Sequence, residues 1–304
     1  MHEQKITVSI FMLTYNQEEF IARTIESILI QQTNFRFQLV IGEDASTDKT
    51  LQICLKYQKE NPEKIKVLPA KKNMGLIANF MRTLKECNGT YIAICDGDDY
   101  WTDSLKLQKQ VDFLRENPDY KIIYTLKKDL LPDGTFNRSG QPIMPETTSF
   151  EDLVMGNYIP SVTVLFKNKT LQEQPPTWII NFPYGDWPLY LWTLIEGGKI
   201  KFLEEVTAAY RTEIGASFAL RKKLSDEFKV NLEILRYAIN DPQFAPVKPL
   251  LKKSRLHKLD ALMKSYNREG SYGNAFKTFL RILYLNPSWK PIKMYFYSLK
   301  HSFN

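Results

Sequence analysis

Three carboxylates fall within four positions at Asp96-Gly97-Asp98-Asp99, directly after the apolar run at 91–95. Like charges held a few ångströms apart raise one another's pKa unless a cation sits between them. Oxygen-only ligands point to Mg2+ or Mn2+ rather than Zn2+. A calcium loop of the EF-hand type is excluded: positions five and six would be Tyr100 and Trp101, where that loop needs an oxygen ligand and a glycine. An acidic turn that merely caps the next helix needs no metal, and the residues upstream decide between the two readings.

The acids must be positioned by the elements before them. Residues 6–13, 37–41, 65–68, 91–95 and 121–125 are short β-branched or apolar runs and read as strands. Amphipathic segments separate them. In the first, Asn16-Gln17-Glu18-Glu19 has the pattern of a capping box, and Ile21, Ile25, Ile28 and Leu29 share one helical face. Strands joined by single helices predict right-handed βαβ units, hence an α/β doubly wound, mostly parallel sheet with helices on both faces. Ligands bind outside the carboxyl ends of such strands. Here those ends carry Thr14-Tyr15-Asn16, then Glu43-Asp44-Ala45-Ser46, then Lys71-Lys72-Asn73-Met74-Gly75, then the acids. An aromatic, a carboxylate, a basic turn and a metal site on one rim outline a nucleotide diphosphate site.

Further on, residues 148–151 predict a helix start and 161–166 a strand; Asp186-Trp187-Pro188 opens an apolar segment, and from Leu224 the pattern is helical. The expected organisation is a catalytic domain over 1–220 (a nucleotide-binding half, 1–126, and an acceptor half, 127–220), followed by a basic helical C-terminal region over 221–304. Hydrophobic residues make up 43% of the 304, enough for a sizeable core. Cys54, Cys87 and Cys95 lack paired spacing and sit in apolar patterns, which predicts reduced core residues in a cytoplasmic protein. Neither a signal peptide nor a membrane span is expected. From Lys248 onward there are twelve Lys and Arg against two acids within a net charge of +7, so a basic tail follows a mildly acidic body.

Val8-Ser9-Ile10-Phe11-Met12-Leu13-Thr14-Tyr15-Asn16, Glu43-Asp44-Ala45-Ser46-Thr47-Asp48, Asn73-Met74-Gly75 and Asp96-Gly97-Asp98-Asp99-Tyr100-Trp101, in that order, resemble the family-2 glycosyltransferases of the GT-A fold, bacterial surface-polysaccharide type. The resemblance covers about residues 5–220. It implies that Thr14 and Tyr15 pack on the nucleoside, with Asn16 beside them, that Asp44 accepts a hydrogen bond from the base, and that Asn73 and Asn79 line the donor pocket. Asp96 would touch the ribose in the D-x-D motif, and Asp98 and Asp99 would hold the metal. Asp186 matches the catalytic base, and Tyr210-Arg211 matches a later segment in which Glu213 replaces the usual His as a metal ligand.

The implied reaction moves a sugar from a nucleotide-diphosphate donor, a UDP-sugar by family habit, to a hydroxyl of a glycan or lipid-linked acceptor, with Mn2+ or Mg2+ and with inversion. A degenerate, non-catalytic glycan- or membrane-binding protein is the alternative. A nucleotidyltransferase would need a glycine- and arginine-rich first loop, and a receiver-like domain would be shorter. The histidines His2, His257 and His301 lie outside every motif, which argues against a Ser-His-Asp or Cys-His nucleophile. In the tail, Ile292, Tyr295, Phe296 and Leu299 share a helical face. That face suits either peripheral contact with anionic lipid at the inner side of the cell membrane or packing within a helical subdomain. No nucleic-acid module accompanies it, so no nucleic-acid partner is expected.

Overall fold

In the computed structural model, which describes residues 5–138, 140–213 and 223–302, the chain divides into two compact units. One covers 1–153 and 157–218, the other 154–156 and 219–304.

Strands β1 (Val8–Thr14), β2 (Phe37–Glu43), β3 (Ile65–Pro69) and β4 (Tyr91–Ile94) alternate with helices α1 (Ile21–Leu29), α2 (Thr50–Glu60) and α3 (Leu76–Lys85). After them come β5 (Tyr100–Trp101), α4 (Lys106–Glu116), β6 (Tyr120–Leu130), β7 (Phe136–Arg138), β8 (Thr147–Ser149), α5 (Phe150–Leu153), β9 (Leu165–Lys167), α6 (Asp186–Thr193) and β10 (Lys199–Arg211). Among the described residues they form one sheet in the order β3-β2-β1-β4-β9-β6-β10-β5, with β7 on β6 and β8 on β10. The pairs among β1 to β4 are parallel, and β6 is parallel to β10; the short β9 runs antiparallel between β4 and β6. The six long strands therefore share one direction and bring their carboxyl ends to one edge.

All seven residues of β1 are buried, as expected of a strand covered on both faces. Ile21, Ile25 and Ile28 of α1 are fully buried in the same apolar cluster as Val8, Ile10 and Met12, each contributing roughly 1.5–3 kcal/mol through burial. Thr24 and Ser27 share that buried face. On β2, a Cβ at Gly42 would come within 1.9 Å of Thr83 Oγ1 and 2.8 Å of Asn79 Oδ1, so α3 rests directly on bare backbone there.

Two local expectations fail for identifiable reasons. Residues 161–166 are not one strand: Ser161–Thr163 is a 3-10 turn closed by the Thr163 N–H on Pro160 O, and pairing begins at Leu165. Asn16 does not cap α1; its side-chain oxygen accepts the Thr47 N–H at 2.8 Å instead. Near α5, Ser149 and Asp152 supply the reciprocal bonds expected one residue earlier: Ser149 Oγ accepts from Glu151 N and Asp152 Oδ2 from Ser149 N.

The second unit consists of α7 (Leu224–Asn240), a 3-10 segment (Pro242–Val247), α8 (Lys248–Arg268), α9 (Tyr272–Leu285) and α10 (Trp289–Lys300). Leu232, Leu259, Leu262, Met263, Ala275, Phe279, Ile282 and Tyr295 form its core. Both oxygens of Glu269 bind Ser225, through its N–H and its hydroxyl, which fixes the start of α7 to the end of α8. Residues 154–156 join this unit: Ser254 Oγ donates to Val154 O and Lys258 Nζ to Met155 O. Ile292, Tyr295 and Leu299 turn into the helical core. The face expected to rest on lipid is therefore divided, because only Phe296 of the four is strongly exposed. No helix among the described residues is long and apolar enough to cross a membrane. The three cysteines are free and buried.

Candidate active site

Three loops at the carboxyl edge are tied together by backbone hydrogen bonds. Thr14 and Glu43 are register partners at the ends of β1 and β2, and the Asp44 N–H donates to Thr14 O. Asn16, at φ 52°, donates its N–H to Ser46 Oγ; Gln17 N donates to Thr50 Oγ1 and Glu18 N to Asp48 Oδ2, while Glu18 Oε2 accepts from Lys49 N. Glu43, fully buried, accepts from the Ala45 and Ser46 N–H groups and so folds the loop back past Ala45 at φ 58°. Asp44 uses one oxygen for Met74 N at 2.9 Å and the other for Gly75 N at 3.0 Å, and Asn73 Oδ1 also accepts from Gly75 N. Its carboxylate therefore caps the third loop, ahead of α3, rather than the helix that follows it in sequence. Tyr15 remains 43% exposed at the rim, available to a ligand.

Asn79, expected in the pocket wall, is buried. Its amide donates to Gly42 O at 2.7 Å and its oxygen accepts from Arg82 Nη2. It locks α3 to β2, so any influence on a ligand runs through that packing.

The acidic loop is held by its backbone. Gly97 N donates to Leu13 O, and Asp99 N to Asp96 O. The Thr24 hydroxyl lies 2.6 Å from Asp99 O and 2.9 Å from Gly97 O, while Ser27 Oγ accepts the Trp101 N–H. From the other side Arg211 donates its Nε to Asp98 O, its guanidinium resting 4.2 Å over Phe20. A Cβ at Gly97 would come within 2.4 Å of Gln17 Oε1 and 2.8 Å of Thr14 Oγ1, which explains a glycine between the acids. Thr24, Ser27 and Arg211 were not expected to position this loop; the signals are two hydroxyls that interrupt an otherwise apolar helical stripe and, for Arg211, its place in the matched Tyr210-Arg211 segment.

The carboxylates divide by role. Asp99, buried, accepts the Arg211 N–H at 2.8 Å, and burial followed by Asp98 and Asp96 raises its pKa well above the usual range. Asp96 is pushed up to about 7 by burial, then by Asp98 and Asp186, against a weak bond from Leu13 N. Burial raises Asp98 too, while Arg211 and a hydrogen bond from Gln17 pull it back. Asp96 thus senses both Asp98 and Asp186, which brings the acidic loop and α6 to one place.

Asp186 opens α6 and accepts from Asn157 Nδ2 at 2.9 Å. Gly185 seats it, since a Cβ there would come 2.8 Å from the Phe80 ring. Tyr190, one turn on, is fully buried, its hydroxyl finds no partner among the described residues, and burial followed by Asp186 and Asp96 keeps that hydroxyl protonated. Asn157 is a further unexpected contributor, contacting the expected base from 29 positions away.

Glu213 is exposed at φ 64°. Among the described residues no three His, Cys, Asp or Glu side chains are grouped as a ready-made metal cage. That donor set still suits Mg2+ or Mn2+, which are commonly held by one or two carboxylates together with substrate phosphates and water. Asp98 with Asp96 supplies such a pair, and their mutual repulsion is what a cation would relieve. A concavity of about 460 Å3, lined by Lys127, Lys128, Phe136, Glu204 and Val206 among others, contains none of the expected site residues.

A mostly parallel α/β sheet with an acidic loop at its carboxyl edge, followed along the chain by a helical extension, is a GT-A type architecture. The chain belongs to glycosyl transferase family 2, whose model matches residues 9–178. An uncharacterized protein of Mycobacterium tuberculosis is 32% identical over 205 residues, covering 67% of this chain and 58% of that protein; the chain thus spans less than two thirds of that relative. The putative teichuronic acid biosynthesis glycosyltransferase TuaG of Bacillus subtilis is 29% identical, covering 69% and 81%. The fold is shared with S. aureus TarS 1-349 in complex with UDP-GlcNAc (TM-score 0.60, 19% identity, 98% of this chain and 80% of that one). It is also shared with the mannosyltransferase PcManGT of Pyrobaculum calidifontis in complex with GDP-Man and Mn2+ (TM-score 0.59, 14% identity, 99% and 82%).

Proposed function

We propose that this protein transfers a sugar from a nucleoside-diphosphate sugar, a UDP-sugar, to a hydroxyl of a glycan or lipid-linked acceptor in surface-polysaccharide synthesis, in the cytoplasm and with inversion. The observation that carries this reading is the convergence of Asp96, Asp98 and Asp186 beside the Thr14–Asp44 rim, with the acidic loop anchored through its backbone while two carboxylates remain partly exposed. The family match, the UDP-GlcNAc complex of TarS and the name of TuaG support the substrate class.

In this reading Tyr15 lies against the nucleoside, with Thr14 and Asn16 shaping the loop beneath it. Asp44 has lone pairs left for the base while it holds Met74 and Gly75 in place. Asp98, with Asp96, would hold Mn2+ or Mg2+, and a bound cation would supply Lewis-acid neutralisation of diphosphate charge. Asp99 keeps the end of β10 against the loop, and Glu213 is a ligand only if it swings toward the diphosphate. Asp186, oriented by Asn157, takes the proton from the acceptor hydroxyl as that oxygen attacks the anomeric carbon from the side opposite the leaving group. This general-base assistance is worth roughly 10²- to 10⁴-fold in rate, and one displacement inverts the centre.

Calorimetric titration of UDP, GDP and CDP, each with Mn2+ and with EDTA, tests the reading on wild type and Asp98→Ala. Metal-dependent binding of one nucleotide, lost in the variant, is expected. Absence of binding in every condition would reject the donor site and favour the non-catalytic glycan- or membrane-binding alternative.

A further inference from the structure

The last two helices expose an apolar surface that the proposed chemistry does not use. On α9, Phe276, Leu280 and Tyr284 recur every four residues and all are exposed, Tyr284 at 87%. On α10, Trp289 (76% exposed), Phe296 and Tyr297 lie on the side away from the buried Pro291 and Tyr295. The two stripes meet, because the rings of Phe276 and Phe296 both lie against Tyr295, with centroids 6.0 and 5.5 Å away. Leu285 at the end of α9 and Trp289 at the start of α10 bracket the Asn286-Pro287-Ser288 turn, so the hairpin tip is itself apolar and exposed.

Charge identifies the occupant. Residues 270–304 contain no Asp or Glu, and every charged side chain on these two helices is a cation: Lys277, Arg281, Lys290, Lys293 and Lys300. All five are exposed. Lys293 and Lys300 fall on the same helical side as Trp289 and Phe296, at spacings of three, four and seven residues. A two-fold contact with a second copy would set this cationic face against itself, which opposes self-association. Exposed aromatics and cations can also take single-stranded nucleic acid, but that mode uses a groove that tracks the backbone, and here the rings project from two convex helix faces. Aromatic and aliphatic side chains edged by lysines instead match the boundary between acyl chains and anionic headgroups.

We propose that the α9–α10 hairpin docks the protein reversibly on an anionic lipid surface. Trp289, Phe296, Leu285 and Tyr284 enter the headgroup boundary, and Lys290, Lys293 and Lys300 pair with lipid phosphates. Ile292 and Leu299 take no part, since they pack inward. The inference does not depend on the sugar-transfer reading, and its test reads no transfer.

The full-length protein is cosedimented with phosphatidylcholine vesicles, with and without phosphatidylglycerol, at low and high salt. Binding only to the anionic vesicles, weakened by salt, is expected. Replacing Lys290, Lys293 and Lys300 by Gln together should lower partitioning roughly 100-fold, about five-fold per cation. Trp289→Ser with Phe296→Ser should lower it roughly 10-fold or more, and Ile292→Val should leave it unchanged. Melting curves separate lost docking from lost folding, because the replaced side chains are exposed. Failure to bind anionic vesicles, equal binding to neutral ones, or undiminished binding by the lysine variant would each overturn the proposal. So would capture of a single-stranded oligonucleotide or formation of a dimer without vesicle binding.

Discussion

Asp44→Asn separates a scaffold carboxylate from a ligand-binding one. In the wild type both oxygens accept backbone N–H groups, Met74 at 2.9 Å and Gly75 at 3.0 Å. A carboxamide keeps one bond and turns its NH2 group toward the other N–H, donor against donor. A hydrogen bond to a charged group contributes about 1.5–3 kcal/mol. Because Met74 itself is exposed, a value inside that range, about 2 kcal/mol, is the expected loss. For a unit of this size that lowers the melting temperature by roughly 4–8 °C. Asp44→Ala should be no worse than Asn by more than about 1 kcal/mol, although Asn is the closer match in shape. The assay is differential scanning calorimetry of the three proteins, followed by nucleotide titration below the melting range. If Asn melts within about 1 °C of the wild type, the carboxylate is not clamping the loop and Asp44 is reserved for the ligand.

Asp186→Asn should retain nucleotide binding and lower turnover by roughly 10²- to 10⁴-fold; wild-type turnover in a steady-state assay would remove it as the base. Gly42→Ala drives a methyl group into Thr83 and Asn79 and should cost about 1–3 kcal/mol, read as a lower urea midpoint, with Thr83→Ala partly restoring it. Lys106 is fully buried, bonded to Gln110 and resting 4.3 Å over Trp101, and burial lowers its pKa to about 7. Its folded pKa lies below its unfolded one. The cost of burying the charge is therefore complete below pH 7 and disappears as pH rises toward about 10.4. Lys106→Met should gain stability relative to wild type most at pH 6 and least near pH 10, and a pH-independent difference in melting temperature would contradict this.

The four rim segments were legible because each is a strand end, and strand periodicity with helical spacing locates strand ends from local sequence alone. What positions them was not. Thr24, Ser27, Arg211 and Asn157 reach the acids from 29 to more than 100 residues away; Arg211 stood out only as part of a matched segment, and nothing in the neighbourhoods of the other three distinguishes them from ordinary hydroxyls or amides. Asn79 illustrates the reverse error. A polar residue on a helix beside the site looks like pocket lining, yet a glycine one position from the end of β2 lets the helix come close enough to bury it. In the tail, α10 carries apolar groups on two faces, so helical spacing could not say whether Ile292 or Trp289 looks outward; packing against the helical core decided it.

Anchoring the acidic loop through carbonyl oxygens, by way of Thr24 and Arg211, separates its shape from its charge. The side chains of Asp96 and Asp98 can therefore change without releasing the loop, and their repulsion is a standing cost to the empty protein. Neutralising Asp98 should raise the melting temperature of the metal-free form while abolishing its use. Selection for heat resistance alone would drift toward sequences that keep the architecture and lose the chemistry. A screen for stabilised variants of this protein must therefore count turnovers alongside survivors.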